Sequence, residues 1–181
     1  AATEAVTQGV QPLDRLSSLV DTTAGFVAGA VVTVSQDATT VTSGPQPASR
    51  TASVVASTEG FPRTARVRLT QGVLLDWRTV ELVDPTTNQL TWDLPLDAGF
   101  DLTQPITLTT HHQADHLLAD VSGTTLTWDA ALEPAFALTQ PLHAATGTAP
   151  ATVDVLDEAG EPRLRIEATS PGAWGNDLAV R

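Results

Sequence analysis

The sequence predicts a mainly β protein, built from one or more antiparallel β-barrel or β-sandwich modules, with a short N-terminal helix and a C-terminal β-hairpin. Three observations predict this fold class. Short runs rich in Val and Thr recur along the chain, turn residues separate these runs, and one 17-residue line is written twice. Val and Thr favour strands, and short strands at regular spacing are typical of antiparallel barrels and sandwiches.

The first predicted element is the helix, in the N-terminal 23 residues. Pro12 suits the first turn of a helix, and it is followed by four apolar residues at helical spacing, namely Leu13, Leu16, Leu19 and Val20. The apolar run from Ala24 to Val34 is shorter than the ~20 residues that a membrane-spanning helix needs. We therefore expect a buried strand or the end of a helix there, and no membrane span.

The later elements are predicted as strands. Residues 44–50, GPQPASR, have the composition of a linker. After them, strand-like runs fall at 51–57, 65–71, 78–84, 88–92, 106–110, 124–128, 151–157, 163–169 and 177–181. Turn signals such as Asp84-Pro85 and Ser122-Gly123 separate them. The chain thus divides into an N-terminal segment and linker (1–50), a β-rich module (51–148) and a C-terminal part (149–181).

The repeated line marks an internal duplication within the β-rich module. LTWDLPLDAGFDLTQPI (90–106) and LTWDAALEPAFALTQPL (126–142) align without a gap, 36 residues apart, with ten of seventeen positions identical. We interpret the copies as a duplicated structural unit whose core anchors are Trp92, Phe100, Trp128 and Phe136, because large aromatic side chains dominate core burial. The alternative is that the Trp residues line a sugar-binding surface.

Charge excludes several classes of partner. The chain has 21 acidic residues against nine basic ones, all of them arginine, for a net charge of −12. Such a protein repels phosphate backbones and anionic membranes, so we expect neither nucleic acid nor a membrane as a partner. Arg78 and Arg163 are consecutive basic residues with thirteen acids between them. This acidic stretch either serves solubility or forms a face that repels its own copies or meets a basic partner.

No motif predicts a catalytic, cofactor-binding or metal site. In HHQADH (111–116), His112 and His116 would lie roughly 13 Å apart on a strand, too far to share one zinc. A turn within this segment would instead make His111, His112 and Asp115 candidate metal ligands. The acids Asp93, Asp97, Asp101, Asp129 and Glu133 lack the spacing of a calcium loop. No Ser-His-Asp set stands out, and no cysteine is present. We expect no enzyme activity and no cofactor.

The stretch RLRIEATSPGAWGNDLAVR (163–181) carries the most specific signal in the sequence. It resembles the contractile tail sheath proteins of phages and phage-like injection systems, in which a segment A-x-(S/N)-P-G-x-W-G-N-x-L-x-V opens the central part of the sheath fold. The matching residues are Ala168, Ser170, Pro171, Gly172, Trp174, Gly175, Asn176, Leu178 and Val180. A weaker resemblance, to a β-rich module upstream of that motif, covers residues 60–145.

The resemblance implies a structural subunit, or an outer domain, of a contractile sheath. By family analogy an α/β core would follow residue 181, neighbouring sheath subunits and an inner tube would be the partners, and the location would be a virion tail or a cytoplasmic injection particle. We expect the 181-residue chain alone to be monomeric or weakly associated and the full-length protein to polymerise. The alternative is a free-standing β-sandwich binding module of a phage particle, carbohydrate-binding or adhesin-like.

Overall fold

The computed structural model describes residues 3–146, 152–156 and 162–167, and within these ranges the chain is all strand and turn. The prediction of a mainly β protein is therefore confirmed. No helix in the described ranges is long and apolar enough to cross a membrane. The strands are β1 Thr3–Val6, β2 Ser17–Leu19, β3 Val31–Val41, β4 Ala52–Val54, β5 Arg66–Gln71, β6 Leu74–Asp84, β7 Gln89–Trp92, β8 Thr107–Ser122, β9 Thr125–Trp128, β10 His143–Thr146, β11 Thr152–Leu156 and β12 Pro162–Glu167.

Ten of these strands form one antiparallel sheet. Its order is β1-β10-β3-β8-β5-β6-β7-β4, with β9 paired to β8 and β2 paired to β9. β11 and β12 form a separate antiparallel hairpin, at the place where the sequence predicts one. The first strand and the tenth pair directly, with Thr3 opposite Thr146. Chain segments about 140 residues apart in sequence therefore lie side by side.

The predicted N-terminal helix does not form. Residues 12–16 are turns and bends, and Ser17–Leu19 is strand β2, which pairs with β9. Arg15 has a φ of 60°, outside the helical region. Leu13 and Leu16 are exposed whereas Val20 is buried, so the four apolar residues do not share one buried face. Helical spacing of leucines is a weak local preference, and the long-range pairing of β2 with β9 overrides it.

The chain forms two compact units. Unit 1 contains Ala1–Ser35, Ala114–Ala131 and the chain from His143; unit 2 contains Gln36–Gln113 and Leu132–Leu142. The long strands β3 and β8 contribute residues to both. This division differs from the sequence-based one: residues 1–50, predicted as an N-terminal segment and linker, supply strands β1, β2 and β3 of the main sheet.

Both units contain the same small pairing, which exposes a second duplication in the sequence. Ser18 of β2 lies opposite Leu126 in unit 1, and Ser53 of β4 lies opposite Leu90 in unit 2. Residues 3–36 align without a gap on residues 38–71, with 14 of 34 positions identical. The chain therefore holds two copies of one segment followed by two copies of another. In each unit, one strand from the first kind of segment pairs with one strand from the second kind.

The core of unit 2 lies beneath one face of β5, β6 and β8. Val67, Leu69 and Leu108 are fully buried, and they belong to one cluster with Phe61, Leu90, Trp92, Leu96, Phe100 and Ile106. In unit 1 the buried apolar residues include Val20, Phe26, Val32, Val34, Leu118, Leu126 and Trp128. Burial alternates along β5 from Arg66 to Leu69, as period-two geometry requires, so Arg66 and Arg68 on its opposite face are exposed.

Candidate functional site

The two repeated tryptophans occupy equivalent closed positions. Trp92 is 2% exposed and Trp128 is 3% exposed. Each indole donates its Nε1–H to a serine hydroxyl at 3.0 Å, Trp92 to Ser53 and Trp128 to Ser18. A buried indole N–H needs such a partner, since leaving it unpaired would cost a desolvation penalty. Neither indole presents a face to solvent, so these two residues do not form a sugar-binding platform.

The two repeated phenylalanines are also buried, but both belong to unit 2. Phe100 and Phe136 are each almost fully enclosed. Each follows a tight turn, closed by backbone bonds from Phe100 to Asp97 and from Phe136 to Glu133. The segment that carries Phe136 thus enters unit 2, although β9 just before it belongs to unit 1. The duplication repeats local structure while the two copies divide differently between the units.

Four glutamines play a structural role that the sequence reasoning missed. Each side-chain amide accepts the backbone N–H of a distant residue and donates to the C=O of that same residue, as a paired strand would. We call this contact a glutamine bracket. The four brackets join Gln11 to Leu19, Gln46 to Val54, Gln36 to Ala137, and Gln71 to Asp101.

The brackets follow the duplication. Gln11 and Gln46 are equivalent in the alignment of residues 3–36 with residues 38–71, and so are Gln36 and Gln71. The first pair occupies backbone groups of the short strands β2 and β4, which would otherwise expose them at an edge. The 35-residue repeat of glutamine was visible in the sequence and was the signal that could have found these residues.

The histidines of the HHQADH segment each contact a different residue, and their side chains do not form one site. The His111 ring lies 2.7 Å from a carboxylate oxygen of Asp37, and His112 Nε2 lies 2.6 Å from the Gly60 carbonyl oxygen. Burial lowers the pKa of His112, and the bond to Gly60 offsets this only in part. His116 is buried and its ring lies 5.7 Å from that of Trp128. Among the described residues no group of three or more His, Cys, Asp or Glu could hold a metal ion.

The regularly spaced aspartates serve as caps for backbone N–H groups. Asp93 accepts from Thr79 and Leu94, while Asp101 accepts from Thr103. Hydrogen bonds from Thr79 and Thr103 hold the pKa values of Asp93 and Asp101 below the usual range, so both carboxylates are ionised at neutral pH. Their recurrence every four residues reflects the turns of the loop between β7 and β8.

One exposed surface stands out, on the outer face of β5 and β6 in unit 2. Arg68 lies opposite Trp77 in the strand register, and the guanidinium of Arg66 lies 4.9 Å from the centre of the Trp77 ring. Trp77 is 45% exposed, and Leu75 on the same face is also exposed. We call these four residues, Arg66, Arg68, Leu75 and Trp77, the arginine–tryptophan face. No sequence motif predicts this face, although Trp77 is followed by an arginine whereas Trp92 and Trp128 are each followed by an aspartate.

Unit 2 also has an open cleft of about 860 Å³. Its lining runs through residues 57–63 and includes Leu82, Val83, Pro85, Asn88 and Pro134. The carboxylate of Glu59 in this lining already accepts hydrogen bonds from the Leu138 N–H and the Thr139 hydroxyl. The other polar side chains of the lining are Ser57, Thr58, Arg63 and Asn88, and they do not include a nucleophile paired with a base.

The residues of the sheath-like motif, Pro171, Gly172, Trp174, Gly175 and Asn176, lie outside the described residues. The predicted strand at 177–181 lies outside them as well. Comparisons with protein-family models, with curated proteins and with solved structures find no match.

Proposed function

We propose that this chain is a structural part of a contractile sheath of a phage or phage-like injection particle, with residues 3–146 forming an outer β-module and the following residues leading into the sheath core. The observation that carries the proposal is the segment from Ala168 to Val180, whose residues match the motif that opens the sheath core. In this proposal the module belongs to the antiparallel barrel or sandwich class.

The pairing of β1 with β10 supports the proposal. Thr3 and Thr146 are cross-strand partners in an antiparallel pair, which places their Cα atoms roughly 4.5–5.5 Å apart. A module whose two ends lie side by side can project from a larger domain without disturbing that domain. The hairpin β11–β12 then follows within a few residues and pairs only with itself among the described strands.

The polar chemistry of the described residues also suits a structural role. The glutamines bracket strands, the aspartates cap turns, and the buried serines receive indole N–H groups. Each of these hydrogen bonds stabilises the fold. Under this proposal the partners are neighbouring sheath subunits and an inner tube, the location is a virion tail or a cytoplasmic particle, and no cofactor takes part.

Electron microscopy and sedimentation of two forms test the proposal. The 181-residue chain should stay monomeric or weakly associated, and a protein extended through the reading frame beyond Arg181 should form tubes or rings. A reading frame that stops at Arg181, or an extended protein that remains monomeric at high concentration without tubes, would contradict the sheath assignment.

A second candidate is a free-standing binding module of a phage particle, carbohydrate-binding or adhesin-like. Trp77 is the observation that favours it, because an exposed indole on a sheet surface can stack on a sugar ring. Glycan-array binding that is lost in Trp77→Ala and kept in Trp92→Phe would support this candidate. Binding that is absent in the unmodified chain would remove it.

A further inference from the structure

We propose that the arginine–tryptophan face of unit 2 docks on the loop of residues 93–101 in a second copy of this chain. The inference rests on the proposed structural role and names the surface through which the modules of neighbouring subunits meet. We call residues 93–101 the aspartate loop, after Asp93, Asp97 and Asp101.

The face presents positive charge and apolar area together. Arg66 and Arg68 are exposed on β5, where Val67 and Leu69 point the other way into the core. Among the described residues neither arginine has a salt bridge. Stacking of Arg66 on Trp77 leaves the guanidinium edge able to receive a carboxylate, and Arg and Trp are enriched at the energetic centres of protein interfaces.

The equivalent positions in the first copy of the duplicated segment lack this chemistry. Val31 and Thr33 stand where the second copy has Arg66 and Arg68. Thr33 donates its hydroxyl to Asp115 at 2.7 Å, so that position is committed to a contact within unit 1. The buried positions of the two copies match while this face differs, which indicates that the face has a role beyond folding.

The aspartate loop offers the complementary surface. Asp93, Asp97 and Asp101 are exposed, and Leu94 between them is also exposed. Arg50 holds the loop in one conformation by donating to the carbonyl oxygens of Asp97 and Phe100, at 2.8 and 3.0 Å. A rigid loop loses little entropy on docking, its carboxylates match the two arginines, and Leu94 can pack against the indole.

One copy cannot satisfy its own face. The loop carries Leu96 and Phe100, which are buried in the cluster beneath the inner side of β5, whereas the arginines project from the outer side. The contact must therefore run from the face of one copy to the loop of another. Such a head-to-tail interface closes into rings or continues as a filament.

Sedimentation equilibrium of the 181-residue chain at about 0.15 M salt tests the inference, over concentrations from about 10 μM to about 1 mM. We expect weak association in this range. Arg68→Glu, Trp77→Ala and Asp97→Arg should each weaken it about tenfold or more. Arg63→Glu makes the same charge change at an exposed arginine outside the face and should leave association unchanged.

The decisive measurement mixes two variants that do not associate alone. Arg68→Glu and Asp97→Arg copies together restore opposite charges across one interface, so the mixture should associate while each variant alone does not. Thermal melts that match the unmodified chain confirm that the variants fold. A chain that stays monomeric at about 1 mM, a mixture that fails to associate, or an Arg63→Glu effect as large as that of Arg68→Glu would overturn the inference. Tube formation by the extended protein is scored separately, so failure of this contact is distinguishable from failure of the sheath proposal.

Discussion

Replacement of Gln36 by Glu changes one donor into an acceptor at the most enclosed glutamine bracket. Gln36 is 1% exposed. Its Oε1 accepts the Ala137 N–H at 2.7 Å, and its Nε2 donates to the carbonyl oxygens of Ala137, Gln140 and Pro141 at 2.8, 3.2 and 3.2 Å. Gln36→Glu keeps the shape and the acceptor but places a carboxylate against three carbonyl oxygens.

The expected cost is set by burial. An unsatisfied buried group costs about 1–3 kcal/mol, and more if it is charged, so we expect the free energy of unfolding to fall by about 3–5 kcal/mol at pH 7. Gln71→Glu is the matched control, because Gln71 makes the same bonds to Asp101, Gln104 and Pro105 at a partly exposed site. Water can replace the lost donor there, so we expect about 1 kcal/mol or less.

The loss of unfolding free energy in Gln36→Glu, called the deficit below, should also depend on pH. The carbonyl oxygens disfavour the ionised form, so the pKa of the introduced carboxyl should be higher in the folded chain than its unfolded value of about 4.3. The deficit should therefore be small below that value and grow as the pH rises toward the folded pKa. Urea unfolding followed by Trp fluorescence between pH 4 and pH 8 measures both effects. Equal costs for the two variants, or a deficit at Gln36→Glu that does not change with pH, would refute the reasoning.

Three further predictions follow from the same structure. Trp92→Ala and Trp128→Ala should each lower the free energy of unfolding by about 3–5 kcal/mol, because each removes a buried ring; an indole at either site that acrylamide quenches freely would contradict this. The free energy of unfolding should fall as the pH drops below 6.5, because burial lowers the pKa of His112 and the folded chain resists its protonation. His112→Gln should flatten this dependence in urea unfolding at pH 5–8. A circular permutant that joins the module's paired ends and opens between Gly72 and Val73, at an exposed hairpin tip, should keep the far-UV circular dichroism and cooperative melting of the original chain; loss of cooperative melting would count against the adjacency of the ends.

Local sequence patterns predict most of the strands of this protein. The Val- and Thr-rich residues of β3 form a strand because β-branched side chains fit a pleated surface. The C-terminal hairpin that the sequence predicts appears as the paired strands β11 and β12. The gapless repeat showed that Trp92 and Trp128 are equivalent residues, and both are buried.

The pairing of distant segments is visible only in the folded structure. The pairing of β1 with β10 and of β2 with β9 joins residues more than 100 positions apart, and no local preference encodes such a partner. Those pairings replaced the predicted helix near Leu13 with a turn and a strand. The register of β6 against β5, with Trp77 opposite Arg68, likewise leaves Trp77 exposed, since a one-residue change of phase on a strand turns a side chain from the core to the solvent. The glutamines show the same limit: their 35-residue recurrence is written in the sequence, but the backbone groups that they bind lie up to 105 residues away and become neighbours only when the chain is folded.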